Sequence, residues 1–105
     1  MQRLHQSSDI AAMFAQIKPQ YLDNFQIYCI KNNLLDHRVG VIIAKKHIPL
    51  AVDRNCLKRQ IRELCRRNLI TKSNKYDILV LVRTKITTSK ANFLSQLNNY
   101  INNLT

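Results

Sequence analysis

With 105 residues, 46% of them hydrophobic, the chain has the size of a single domain and enough apolar material for a core. A formal net charge of +11 and a pI near 10.1 direct it towards a polyanion, either nucleic acid or an anionic membrane surface. Three cysteines (Cys29, Cys56, Cys65) without a C-x-x-C spacing argue against a disulfide framework or a zinc site and for the reducing cytoplasm.

The opening MQRLHQSSD holds no apolar core of the kind a signal peptide needs, so none is expected. Ser7 or Ser8 is placed to cap a first helix, with Asp9 favourable in its first turn. Ile10, Met13, Phe14 and Ile17 then share one face, and Pro19 ends the element. That helix is too short to stand alone and must dock. A short strand at Gln20–Leu22 is left undecided by the pattern. Phe25–Ile30 is aromatic and β-branched and reads as a strand. Phe25, Ile27 and Cys29 face one way; Gln26, Tyr28 and Ile30 face the other. Tyr28 reads equally well as a core residue with its hydroxyl satisfied.

A polar loop, Lys31–His37, leads to the strand Arg38–Ala44. The small residues Gly40 and Ala44 on one of its faces predict close approach by another element or a ligand. Lys45 and Lys46 follow, and Pro49 suits the first turn of the next helix. That helix, Ala51–Asn68, organises the chain. Leu57, Ile61, Leu64 and Cys65 take the i, i+4, i+7, i+8 spacing of a buried stripe. Lys58, Arg62 and Arg66 form a row four residues apart, with Asn55 and Arg59 beside it. Six cations (Arg54, Lys58, Arg59, Arg62, Arg66, Arg67) face only Asp53 and Glu63, a local net of +4. Like charges at i, i+4 weaken an isolated helix by a few tenths of a kcal/mol per pair, so a polyanion is the expected stabiliser. Five of the six are arginines, whose forks match phosphate.

Beyond a polar link, Asp77–Arg83 is a continuous apolar run, the mark of a central strand buried on both faces. Strand, basic helix and buried strand make a βαβ unit with parallel strands. Ser89 is placed to cap a last helix whose stripe is Phe93, Leu94, Leu97, Tyr100, Ile101 and Leu104. The sum is an α+β two-layer sandwich, a small mixed sheet with helices packed on it, in the order αβββαβα as one domain, 1–105.

Chemistry of its own is not expected. The carboxylates Asp9, Asp23, Asp36, Asp53, Glu63 and Asp77 form no dyad, and His5, His37 and His47 are scattered. One glycine rules out the P-loop and the dinucleotide fingerprint. No apolar run reaches the ~18 residues of a membrane span. The basic helix has no Trp or Phe anchor for a membrane surface. A DNA regulator would need a helix-turn-helix partner, and none is seen.

Arg38-Val39-Gly40, then Ala44-Lys45-Lys46, then the run from Ala51 through Arg54-Asn55-Cys56-Leu57-Lys58-Arg59 to Arg62-Glu63 resembles the signature of the protein subunit of bacterial ribonuclease P. The helix reaching Phe14, the Phe25-to-Tyr28 strand and the DILVLVR strand with its final helix fit the same order. Two positions depart: Cys56 stands where the family has Arg, and Ile10 where many members have an aromatic. On the helical wheel Cys56 falls on the exposed side.

The resemblance implies a ribonucleoprotein endoribonuclease that matures the 5′ end of tRNA. Its RNA subunit, paired 1:1 with the protein, performs the hydrolysis with Mg²⁺; the protein supplies no catalytic residue, metal site or cofactor. Carried onto this chain, Arg54, Asn55, Lys58, Arg59, Arg62 and Arg66, with Lys45 and Lys46, contact RNA. Phe14, Tyr28, Gln26 and Ile10 line a cleft for the single-stranded leader of precursor tRNA. The family fold also has a left-handed βαβ crossover, where general topology rules favour the right-handed one. The alternative is a structural, ribosomal-type RNA-binding protein with no part in tRNA processing.

Overall fold

A computed structural model describes residues 1–22, 25–82 and 90–104, the side chains of residues 90 and 91 excepted. The elements run β1 (Gln2–Arg3), α1 (Ser7–Gln16), β2 (Gln20–Tyr21), β3 (Phe25–Lys31), β4 (Arg38–Ile43), α2 (Ala51–Leu69), β5 (Tyr76–Val82) and α3 (Lys90–Asn102). The expected αβββαβα order holds, including the undecided strand at Gln20, and gains β1 at its head. The proposed cap Ser89 and the strand end Arg83 lie outside the described residues.

The five strands form one mixed sheet in the order β1-β4-β5-β3-β2. The apolar run of β5 is central as expected, parallel to β4 and antiparallel to β3. β4, α2 and β5 are the anticipated βαβ unit. Tyr28, Leu79 and Gly40 lie in one cross-strand row, and Gln26, Leu81 and Ile42 in a parallel row on the same face.

The other face carries the main core. Phe25, Ile27, Val39, Val41, Ile43, Ile78, Val80 and Val82 from the sheet meet Leu57, Ile61, Leu64, Cys65 and Leu69 of α2 and Phe93, Leu97 and Ile101 of α3. Each such side chain contributes roughly 1.5–3 kcal/mol when fully buried. Phe25 and Phe93 tie sheet to helix with ring centroids 4.5 Å apart. Asn68 adds a polar link, donating to Asn98 Oδ1 at 2.8 Å. A second, smaller cluster joins Leu4, Met13, Tyr28 and Leu79, with Ile10, Ile17 and Ile42 against it. Thus α1 covers part of the face that α2 and α3 leave open.

Local expectations need three corrections. α1 begins at Ser7 with Gln6 in the capping position and no side-chain cap, because Ser7 and Ser8 already lie within the helix. Pro49 precedes the extended N-cap residue Leu50 and so stands outside α2. Gly40 is small because of another element, not a ligand: a Cβ there would collide with the Leu4 carbonyl oxygen, where the chain leaving β1 crosses it.

Candidate RNA interface

Apolar spacing turns one side of α2 onto the sheet and sets the orientation of the rest. Leu57, Ile61, Leu64, Cys65 and Leu69 are buried. Asn55, Arg59 and Arg66 are exposed, and Lys58 and Arg62 are half-buried on the flank towards β1. These five residues line one open hollow of about 520 Å³ together with Met1, Arg3 and Glu63. Among the described residues, Arg3, Lys58, Arg59 and Arg62 have no ion-pair partner. Arg66 differs, because its guanidinium forks onto Glu63 one turn back. That pair holds the Glu63 carboxyl below the usual carboxylate range. Burial, reinforced by Arg3, lowers the Arg62 pKa, and its buried Nε has no hydrogen-bond partner.

Arg54 is not brought into this hollow. Its Nη1 donates to the carbonyls of Ile48 at 2.9 Å and Pro49 at 2.8 Å, closing the approach to α2. Lys45 and Lys46 are exposed on the turn after β4, closed by the Ala44 carbonyl accepting from the amides of His47 and Ile48. β4 ends at Ile43, in register through Val82 with Phe25, so this turn lies off the end of the sheet nearer Gln26 than Tyr28. Cys56 is half-buried, a correction to its expected exposure. At about 100° per residue it sits some 120–160° round the helix from Arg62 and Lys58, so it subtracts nothing from the hollow.

On the second face Phe14 meets Tyr28 edge-on, with centroids 5.1 Å apart and planes at 72°. Phe14 is 45% exposed and Tyr28 only 9%, so Phe14 offers most of the accessible aromatic surface. Gln26 is buried beside Tyr28 in the sheet, and Ile10 packs on the Met13–Tyr28–Leu79 cluster. The structure thus groups all four residues around α1 and β3. Arg3 is the site residue that sequence reasoning missed. A two-residue strand carries no periodicity, and the only sign of it is an apolar Leu4 after a cation.

Burial pushes the Cys29 thiol up to about 11 and the Cys65 thiol to about 12, so neither is a thiolate at neutral pH. Asp9, Asp36, Glu63 and Asp77 are each engaged in an ion pair. Among the described residues, no three His, Cys, Asp or Glu side chains are grouped to hold a metal ion, and no helix is long and apolar enough to cross a membrane.

The family model described as Ribonuclease P matches residues 1–105. Over 54 residues the chain is 50% identical to the ribonuclease P protein component of Pseudomonas aeruginosa (strain LESB58), covering 50% of this chain and 39% of that one. Over 92 residues it is 36% identical to the component from Baumannia cicadellinicola, covering 73% and 80%. The chain thus spans well under two-thirds of the length of the first of these relatives. The solved RNase P protein from Thermotoga maritima is similar with a TM-score of 0.80 at 26% identity, over 100% of this chain and 99% of that one. The Staphylococcus aureus RNase P protein is similar with a TM-score of 0.71 at 27% identity, over 94% and 87%. With the family model matched along its whole length, the chain belongs to the ribonuclease P protein family.

Proposed function

We propose that this chain is the protein component of a ribonuclease P ribonucleoprotein in the cytoplasm, paired 1:1 with a catalytic RNA. Its α2 hollow grips that RNA, and the α1–β3 face holds the single-stranded 5′ leader of precursor tRNA. The observation that carries this reading is the hollow itself. Asn55, Lys58, Arg59 and Arg62 converge in it, and its one carboxylate, Glu63, is already committed to Arg66. Such a surface has its charge left over for phosphates. Arg54 shapes the entry to α2, and Lys45 and Lys46 extend the cationic surface past the end of β4.

The leader is a single strand, with bases free to stack and a backbone free to meet cations. Phe14 supplies the open aromatic surface, Tyr28 braces it edge-on, and Gln26 and Ile10 complete the floor. Stacking on one ring contributes roughly 1–3 kcal/mol per base and tolerates sequence variation, as leaders of many tRNAs require. Bond cleavage and the Mg²⁺ ions belong to the RNA subunit; the protein contributes affinity and placement.

The test uses the protein assembled with a bacterial ribonuclease P RNA. Phe14→Ala is expected to raise KM about tenfold for precursors that carry a leader. Inhibition by mature tRNA should be unchanged. Equal loss for leader-bearing and leaderless RNA contradicts the leader assignment. A chain that selects ribosomal RNA and gives no gain in cleavage is a structural RNA-binding protein instead.

A further inference from the structure

Arg3 reaches the α2 hollow by an accident of alternation that the backbone makes obligatory. β1 lies along the edge of the sheet, parallel to β4, with Arg3 opposite Val39. It is held there by the amide of Gln2 donating to the His37 carbonyl at 2.8 Å and that of Leu4 to the Val39 carbonyl at 3.0 Å. Leu4 is 3% exposed and packs with Met13, Tyr28 and Leu79 on the face away from α2. Successive side chains along extended backbone point to opposite faces, so burying Leu4 sends Arg3 towards α2. There it shares the hollow with Asn55, Lys58, Arg59, Arg62 and Glu63.

Two guanidinium groups from separate elements thus line one hollow, close enough for the charge of Arg3 to act on Arg62. Neither has a carboxylate partner among the described residues, and the Arg62 Nε is buried with its proton unused. Burial, and then Arg3, weakens the charged state of Arg62. An arrangement that costs the free protein repulsion and an unmade hydrogen bond gains both back from one tetrahedral anion, which can accept from two forks at once.

We infer that Arg3 and Arg62 form a bridging phosphate site, in which one phosphodiester group of the bound RNA is gripped from β1 and α2 together. The inference rests on the reading of the α2 hollow as an RNA interface and adds to it a second element and a shared ligand. The bridging phosphate closes β1 onto α2, so RNA binding also tightens the edge of the sheet.

The experiment is a double-mutant cycle with Arg3→Gln, Arg62→Gln and the double variant, reading affinity for a bacterial ribonuclease P RNA across a salt series. Each single variant is expected to bind about tenfold more weakly and to flatten the slope of log affinity against log salt by about 0.7–0.9, one phosphate. The double variant should be scarcely weaker than either single one, because both remove the same contact. The melting temperature of Arg3→Gln without RNA should be equal to or above that of the parent chain, since a repulsion has been relieved. Losses that multiply in the double variant, or full affinity in Arg3→Gln, overturn the shared site while the RNA interface stands. A lowered melting temperature in Arg3→Gln with unchanged affinity makes Arg3 a structural residue and overturns it too. Failure of the parent chain to bind the RNA removes the interface and this site with it.

Discussion

His37 joins three elements through one ring. The amide of Tyr76 donates to its Nδ1 at 3.0 Å, so the ring proton sits on Nε2, which donates to the Leu69 carbonyl at 3.0 Å. The end of α2 is thereby tied to the starts of β4 and β5, and the ring lies parallel to that of Tyr76. Burial lowers its pKa below the ordinary 6.5; the Leu69 carbonyl opposes this, while Lys75 adds to it. An imidazolium would have to give up the Tyr76 bond, so the unfolded chain takes up a proton that the folded one refuses. Stability from this group is complete above about pH 6.5 and is lost as the pH falls towards the depressed folded value. Melting temperature should therefore drop by several degrees between pH 7.5 and pH 5. In His37→Gln, which cannot gain that charge, the drop should be much smaller. Parallel pH profiles for the two proteins would contradict this. Asp77 titrates outside this window: burial alone would raise its pKa, but hydrogen bonds from Arg38 and Asn32 outweigh burial and hold it below the usual range. Nothing local in the sequence marks His37 as a link, because its partners lie 32 and 39 residues away. The hydrogen bonds of Arg54 to the Ile48 and Pro49 carbonyls and the partial burial of Cys56 escape the sequence for a similar reason. A helical wheel assigns a direction to each side chain, but not the loop carbonyls or other neighbours it will meet.

At the scale of elements, α1 is the lightly held piece. Only Met13 of its residues is buried, and its charged anchor is a relay. Arg38 makes a two-pronged contact with Asp77, Nε to Oδ1 at 2.8 Å and Nη2 to Oδ2 at 2.6 Å, and extends Nη1 to Asp9 Oδ2 at 3.1 Å. Asn32 donates to the same Asp77 Oδ1 at 2.8 Å. The Asp77 contacts, then Asp9, raise the Arg38 pKa, so this guanidinium stays charged throughout the working range. Asp9→Asn cuts the link to α1 and leaves the Arg38–Asp77 fork in place. Both partners are partly exposed, so the cost in global stability should be no more than about 1 kcal/mol. The visible effect should be faster amide hydrogen exchange confined to α1. Unchanged exchange in Ser7–Gln16 would show that Met13 and its apolar neighbours hold the helix unaided. Sequence reasoning foresaw that this helix must dock, and which face would do it, because apolar spacing records both. It missed the latch, since Arg38 and Asp9 meet only after folding, and it missed β1, whose two residues are fixed by pairing with β4 and by the bare Cα of Gly40.

Over the whole molecule, charge and fold are separated by face. Four of the described carboxylates are taken up in ion pairs that hold the chain together, while Arg3, Lys58, Arg59 and Arg62 are left unmatched around one hollow. With a net charge of +11, most of that surplus is available to a polyanion. The central place of β5 and the parallel β4–β5 pair were legible because Ile78–Val82 is a continuous apolar run and α2 is apolar on one side only, whereas the full strand order was not. Under the proposed function, the domain's part is to grip RNA. The most direct test adds the pure chain to a bacterial ribonuclease P RNA at Mg²⁺ too low for the RNA to act alone and follows removal of the 5′ leader from precursor tRNA. The account predicts rapid cleavage when both are present, suppressed steeply by added salt, and none with the chain alone. Cleavage by the chain without the RNA, or no gain when it is added, would contradict it.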